Sequence, residues 1–316
     1  MKRLVILNPK SRHGKAQGAF KRIFPGLRER FGSGVQVCQT SGPGHATELV
    51  RSTLREDGDG GFRQILAAGG DGTINEVVNG YFEDGEIIRQ DIPLGVINLG
   101  TGGDFFRSIN ELNDDYDSAI DQNCFSKVDC GEVSQGPSHD KRYFINISSI
   151  GAGGEMLDNL KRSPLQSGAV AYFVHTVRTL LRYQPKPVKI EYVDDRGEVR
   201  KMESDLINLF VCNGRFSGGG MKWAPSAELQ NGLFELTLIS GKRKLPLITH
   251  CPKIYAGRIA EFPGASQMRA REVTVRYRDS LSLEGDGEIL PLSEDGDIKD
   301  RKICFGIRPG EFPLVL

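Results

Sequence analysis

The chain reads as two domains with a cleft between them: an α/β domain with a parallel sheet and helices on both faces, then an all-β sandwich. Two observations carry this expectation. Up to about residue 125, short apolar runs alternate with stretches of helical spacing, the pattern of a parallel sheet covered by helices. After residue 129, strands follow one another through turns, with 168–182 as the main helical exception, the pattern of an antiparallel sandwich. The predicted domains are 1–127 and 128–305, with the tail from about 306 to 316 returning to the first. A length of 316 residues suits two domains, each of roughly 150 residues.

In order, 4–7, 35–38, 65–68 and 93–97 are the predicted parallel strands, and 15–31, 45–55 and 74–82 the helices among them. The loops at the carboxyl ends of these strands, where such sheets bind ligands, are 8–15, 40–45, 69–73 and 99–104. In the second half, 128–133, 143–149, 188–193, 205–212, 234–239, 272–277 and 302–307 read as strands. Gly197 and Gly232 suit the turns between strands.

Lys plus Arg and Asp plus Glu each number 41, so no global field draws the chain to nucleic acid or to an anionic membrane. Six scattered cysteines without C-x-x-C spacing exclude zinc-finger spacing and fit free thiols in a reducing compartment. The first apolar run is too short for a signal peptide, and no run approaches the ~20 apolar residues of a membrane span. The expectation is a cytoplasmic protein.

The most specific feature is Gly69-Gly70-Asp71-Gly72-Thr73, between a strand and a helix. A glycine-rich turn there presents backbone N–H groups to an anion. Asp71 inside it would repel phosphate unless a cation or a transferable proton is present, which points to phosphoryl transfer. Leu99-Gly100-Thr101-Gly102-Gly103-Asp104, followed by Arg107, repeats the theme at a neighbouring strand end. The loop from Asn8 to Lys15 offers an amide, a hydroxyl and cations, and reads equally as an ordinary loop; it lacks Walker A and G-x-G-x-x-G spacing. Thr40 and Ser41 suit nucleotide contact or plain helix capping. Far downstream, Glu284-Gly285-Asp286-Gly287-Glu288 packs three carboxylates into five residues. It reads as a tight turn or as a cluster for magnesium and proton handling.

Taken together these residues resemble the diacylglycerol kinase catalytic-domain family, which includes bacterial lipid kinases, sphingosine kinases and ceramide kinases. The match runs through Asn8-Pro9, Thr40 with Gly44-His45-Ala46, and 69–73 with Asn75-Glu76-Val77-Val78-Asn79-Gly80. It continues through Leu99-Gly100-Thr101 with Asp104 and Arg107, Val128-Asp129-Cys130-Gly131, Phe144-Ile145-Asn146, Asn213-Gly214, Ala224-Pro225 and Asp286-Gly287-Glu288. The resemblance implies an NAD kinase-like fold and transfer of the γ-phosphoryl group of ATP, with Mg²⁺, to a lipid hydroxyl.

It further implies a nucleotide set of Asn8, Lys15, Thr40, Gly70, Asp71, Gly72, Thr73, Thr101 and Arg107, with Asp104 at the substrate. Metal carboxylates would be Asp71, Asp129 and Asp286; catalytic carboxylates would be Asp286, Asp71 and Glu288. Asp286 is the first choice to accept the hydroxyl proton and Asp71 its rival. Two positions depart from the family pattern: Gly103 stands where an Asn is usual, and Ser226 where bacterial relatives carry an Asp, which weakens the case for a structural Mg²⁺ there. The acceptor would be reached transiently at the inner face of a membrane. Residues 168–182 are apolar enough to line a lipid pocket or to pack on the sandwich core. Arg178, Arg182, Lys186 and Lys189, or Lys242-Arg243-Lys244, read as headgroup contacts or as a solvated face. Alternatives are an NAD kinase-like phosphotransferase, and a non-catalytic lipid or nucleotide sensor on the same scaffold. No nucleic-acid partner is expected, and a homodimer stays open.

Overall fold

The computed structural model describes residues 2–56, 61–135, 141–163, 169–241, 244–292 and 301–316. By contacts the chain divides into unit 1, Met1–Val128 with Gly310–Leu316, and unit 2, Asp129–Pro309.

Unit 1 runs β1 (Lys2–Leu7), α1 (Ala16–Phe31), β2 (Val35–Gln39), α2 (His45–Glu56), β3 (Phe62–Gly69) and α3 (Asp71–Gly80). A small hairpin, β4 (Phe82–Glu83) and β5 (Glu86–Ile87), leads to β6 (Leu94–Asn98), α4 (Asp104–Leu112) and α5 (Tyr116–Gln122). The parallel sheet has the order β6-β3-β1-β2. The chain steps from β1 to β2, then back across β1 to β3. With right-handed crossovers this reversal places α1 on one face and α2 with α3 on the other. Leu4–Leu7 and Ile65–Ala68 are buried at every position because both faces are covered. The helix expected at 74–82 starts earlier, at Asp71, so the Asp-Gly-Thr of the glycine turn forms its first turn, with Thr73 and Ile74 N–H donating to the Gly70 carbonyl.

Unit 2 takes β7 (Phe125–Gln135) from Asp129 onward, then β8 (Arg142–Phe144), β9 (Ile147–Gly151), α6 (Ala152–Lys161), α7 (Ala169–Arg182), β10 (Lys186–Val193) and β11 (Val199–Cys212). Next come β12 (Phe216–Ser217), β13 (Met221–Lys222), β14 (Phe234–Ser240), α8 (Lys244–Tyr255), β15 (Ala265–Ala270), β16 (Glu272–Tyr277), β17 (Leu283–Gly285), β18 (Glu288–Leu290) and β19 (Lys302–Val315). The first half of β11 pairs with β10, which continues to β16 and β19; its second half pairs with β14 on one side and β9 on the other, all antiparallel. The last residues of β19 belong to unit 1, where Leu314 lies parallel to Leu94.

The apolar run 206–212 follows from burial on both faces. Leu209 and Val211 join the sandwich core with Phe144, Phe234, Leu236 and Phe305, whereas Phe210 and Cys212 enter a second cluster with Met221, Trp223 and Ile254.

Two expectations change. The strand expected at 143–149 is broken into β8 and β9, because the N–H groups of 145–147 leave the ladder for a carboxylate described below. Unit 2 also has two further helices: α6 carries Gly153-Gly154 in its first turn and α8 encloses Pro252, so neither announces itself by propensity. Residue 168, Lys242, Arg243 and the Lys244 side chain lie outside the described residues. Among those described, no helix is long and apolar enough to cross a membrane.

Candidate active site

In unit 1 the expected nucleotide residues gather at the carboxyl ends of the strands. The strand order reverses between β1 and β3, and such a switch point opens a crevice for a ligand. A hydrogen bond spans it: Asn8, just past β1, donates from Nδ2 to Thr73 Oγ1 past β3, at 3.1 Å. Ser11 Oγ, the hydroxyl that the sequence offers in the loop from Asn8 to Lys15, lies 3.4 Å from the same hydroxyl. Between them Arg12 and His13 adopt φ of 53° and 54°, left-handed conformations that cost energy in non-glycine residues.

Three glycines are required by close approach. A Cβ on Gly69 would lie 2.3 Å from Thr73 Oγ1, and one on Gly100 would lie 2.5 Å from Gly70 Cα. Gly103 has φ +61°, and a Cβ there would meet Asn98 Nδ2 at 2.3 Å. The space beside Asp104 where the family pattern carries an Asn is thus filled by the amide of Asn98.

The helix N-termini are not equivalent. Glu76 accepts from Gly44 and Ala46 N–H at 2.9 and 3.1 Å, closing the N-terminus of α2. Asp71 accepts from Phe105 and Asp104 N–H at 3.1 and 3.3 Å, closing α4 and tying the two glycine turns together. The N-cap residues of α1 and α3, Lys15 and Gly70, make no side-chain cap hydrogen bond. Among the described residues at the switch point, the ends of α3 and α1 therefore suit an external anion. Burial pushes the Asp71 carboxyl above its ordinary range, against the pull of the Phe105, Asp104 and Gly103 N–H groups.

Asp104 is buried and sits 3.8 Å from Arg107, which is half exposed. Asp71 Oδ2 and Asp104 Oδ2 both border Gly102, at 3.1 and 3.7 Å from where its Cβ would be. Thr40 is buried after β2, with its N–H on the Leu7 carbonyl; Thr101 and Lys15 are exposed.

In unit 2, Asp286-Gly287 forms the two-residue loop of the β17–β18 hairpin, with φ of 49° and 83°, as a type I′ turn requires. The buried Asp286 carboxylate accepts from Ile145, Asn146 and Ile147 N–H at 3.0, 3.0 and 3.1 Å. Asn146 passes the network on: its carbonyl takes the Asn213 and Gly214 N–H groups, and Asn213 Nδ2 donates to the carbonyls of Asp129 and Ile145. Asp129 is fully buried and accepts from Gly232 N–H at 2.7 Å. Glu288 is half exposed and pairs with Lys161 at 2.9 Å. Ser226 is exposed.

Glu284, which the sequence places in the acidic run without a role of its own, is the carboxylate that the structure sets apart. It is 4% exposed, accepts from Gly287 N–H at 3.1 Å, and its carbonyl takes the Ser148 hydroxyl. Burial, reinforced by the charges of Asp286 and Glu288, lifts its carboxyl to about 7. The clue was its membership of the acidic run, but only packing distinguishes it from Glu288. Among the described residues, no three His, Cys, Asp or Glu side chains are arranged to hold a metal by themselves. Mg²⁺ commonly needs one or two carboxylates when phosphate oxygens complete its shell, which the pair at Gly102 fits.

Two family models match the chain: the diacylglycerol kinase catalytic domain over residues 2–133, and the YegS C-terminal NAD kinase beta sandwich-like domain over residues 147–295. A diacylglycerol kinase of Bacillus anthracis aligns with a TM-score of 0.65 at 20% identity, covering 99% of this chain and 96% of that one. Yeast NADH kinase, solved with NADH, aligns with a TM-score of 0.52 at 11% identity, covering 99% and 82%. These likenesses define the architecture as the two-domain, NAD kinase-like kinase fold. In sequence, a diacylglycerol kinase of Staphylococcus saprophyticus is 31% identical over 296 residues, 90% of this chain and 88% of the relative. The chain belongs to the diacylglycerol kinase catalytic-domain family.

Proposed function

We propose that the protein is an ATP-dependent lipid kinase that moves the γ-phosphoryl group to the hydroxyl of a membrane lipid of the diacylglycerol, sphingoid-base or ceramide type. The observation that carries the nucleotide half is the strand reversal between β1 and β3, bridged by Asn8 and Thr73, beside the uncapped end of α3. Phosphates are held there by backbone N–H groups, with Thr40 and Thr101 on the flanking loops and Lys15 and Arg107 adding positive charge. Bound Mg²⁺ supplies neutralisation of the phosphate charge, and Asp71 and Asp104 are the carboxylates of unit 1 that suit it. Asp71 also holds the two glycine turns at one spacing.

Asp286 is assigned the alcohol proton. Three N–H groups fix its carboxylate, so the oxygen that receives the proton is placed before the acceptor arrives. Asp286→Asn should abolish turnover with ATP binding nearly unchanged; surviving turnover with lost ATP affinity moves the role to Asp71. The working location is the cytoplasm, with transient contact at the inner membrane face. The decisive assay transfers labelled γ-phosphate from ATP into a total lipid extract and identifies the product by mass, with NAD offered in parallel. Label in NAD supports the NAD kinase-like reading, and label in neither supports a sensor.

A further inference from the structure

Helix α7 carries an aliphatic stripe on its exposed face as well as an apolar face packed inward. Its exposed face carries Val170, Val174 and Leu181, at 70, 44 and 56% exposure. At about 100° per residue these three lie within a narrow stripe, with Arg178 and Arg182 along one side. The face turned inward packs Ala171, Tyr172, Phe173 and Leu180 on the cores and carries His175 and Thr179, at 4 and 3% exposure, together with Thr176. The His175 Nδ1, Thr176 Oγ1 and Thr179 Oγ1 atoms are buried with no hydrogen-bond partner, as is the Tyr183 hydroxyl just past the helix. A helix whose outer face meets only water carries polar side chains there rather than an aliphatic stripe.

From this we infer that the outer face of α7 is a docking surface for an anionic lipid bilayer, seating the aliphatic stripe among the acyl chains and the arginines among the headgroups. Charge selects this occupant. Residues 169–182 include no acidic side chain, and Arg178 and Arg182 are exposed and form no ion pair among the described residues. A second copy brought antiparallel onto this stripe would set arginine against arginine, and no acidic side chain of the helix would offset either pair. An anionic membrane complements both the apolar centre and the basic edge. The inference deepens the lipid-kinase reading by naming the surface through which the enzyme meets its acceptor, and it rests on that reading only for its purpose.

The test is co-sedimentation, without ATP, with phosphatidylcholine vesicles alone and with vesicles equimolar in phosphatidylglycerol. Wild type should bind the anionic vesicles and not the neutral ones. Arg178→Gln with Arg182→Gln should weaken binding about 25-fold, or about fivefold per arginine. Val174→Asn with Leu181→Asn should weaken it at least about tenfold at unchanged charge. These side chains are exposed, and circular dichroism verifies the fold of both variants. Binding unaffected by either pair, or equal on neutral vesicles, overturns the inference. It is also overturned if the variants convert a dimer to a monomer while vesicle binding stays, because a second copy then covers the face. Since no ATP is present, these outcomes are independent of whether lipid phosphorylation is found.

Discussion

Glu284 should make unit 2 lose stability as pH rises through neutrality. Its carboxyl titrates at about 7 in the folded protein against an ordinary 4.5, chiefly because burial opposes its charge. Between those two values the folded state holds a proton that the unfolded chain has released. Stability from this group is therefore greatest below about 4.5, falls as pH rises to about 7, and is constant beyond. The full difference amounts to about 3 kcal/mol, from 1.36 kcal/mol per tenfold change in proton affinity.

Glu284→Gln removes the titration while retaining an acceptor for the Gly287 N–H. Trp223, the only tryptophan, is buried in the second cluster of unit 2 and reports its unfolding. Urea denaturation of both proteins at pH 5 and pH 8, followed by Trp223 fluorescence, isolates the term, since other groups cancel in the double difference. Wild type should lose about 2–3 kcal/mol more than the variant between the two conditions. Equal losses in the two proteins would refute a buried, late-titrating Glu284.

Three further outcomes follow from the geometry. Glu76→Ala leaves the Gly44 and Ala46 N–H groups without their carboxylate and should cost about 1–2 kcal/mol by thermal or urea unfolding. Gly80→Ala sets a methyl 2.6 Å from Val50 Cβ and 2.9 Å from the Thr47 carbonyl; despite the better helix propensity of Ala it should destabilise by about 1–3 kcal/mol, and a neutral result would mean that α2 and α3 separate easily. Gly103→Ala combines φ +61° with a clash on Asn98 and should cost about 1–2 kcal/mol, with weaker ATP binding by calorimetry because the Asp104 turn shifts.

Much of the architecture is legible in the sequence because its signals are local. The alternation of apolar runs and helical spacing up to about residue 125 is what a covered parallel sheet demands, and the turn-linked strands beyond it demand a sandwich. The glycine spacing at 69, 70 and 100 is equally legible, and its reason is that a Cβ on Gly69 would meet the Thr73 side chain and one on Gly100 the Gly70 backbone. The break at 145–146 was not, because its cause is a carboxylate 140 residues away in sequence. Nor was the extension of α3 back to Asp71, which depends on Gly70 lying extended before the helix.

By itself the chain determined its class of fold, its family and the residue types its loops offer to phosphate, because periodicity and glycine spacing are properties of neighbouring residues. Partnership was decided only in three dimensions. Asp71 and Glu76 sit in one motif, yet each closes the N-terminus of a different helix. Asp286 and Glu284 share one acidic run, but one faces three N–H groups and the other is buried among like charges. Helix α7 leaves Val170, Val174 and Leu181 exposed while Tyr172, Phe173 and Leu180 pack inward. Burial and hydrogen-bond direction depend on which distant backbone arrives beside a side chain, and no local pattern carries that information.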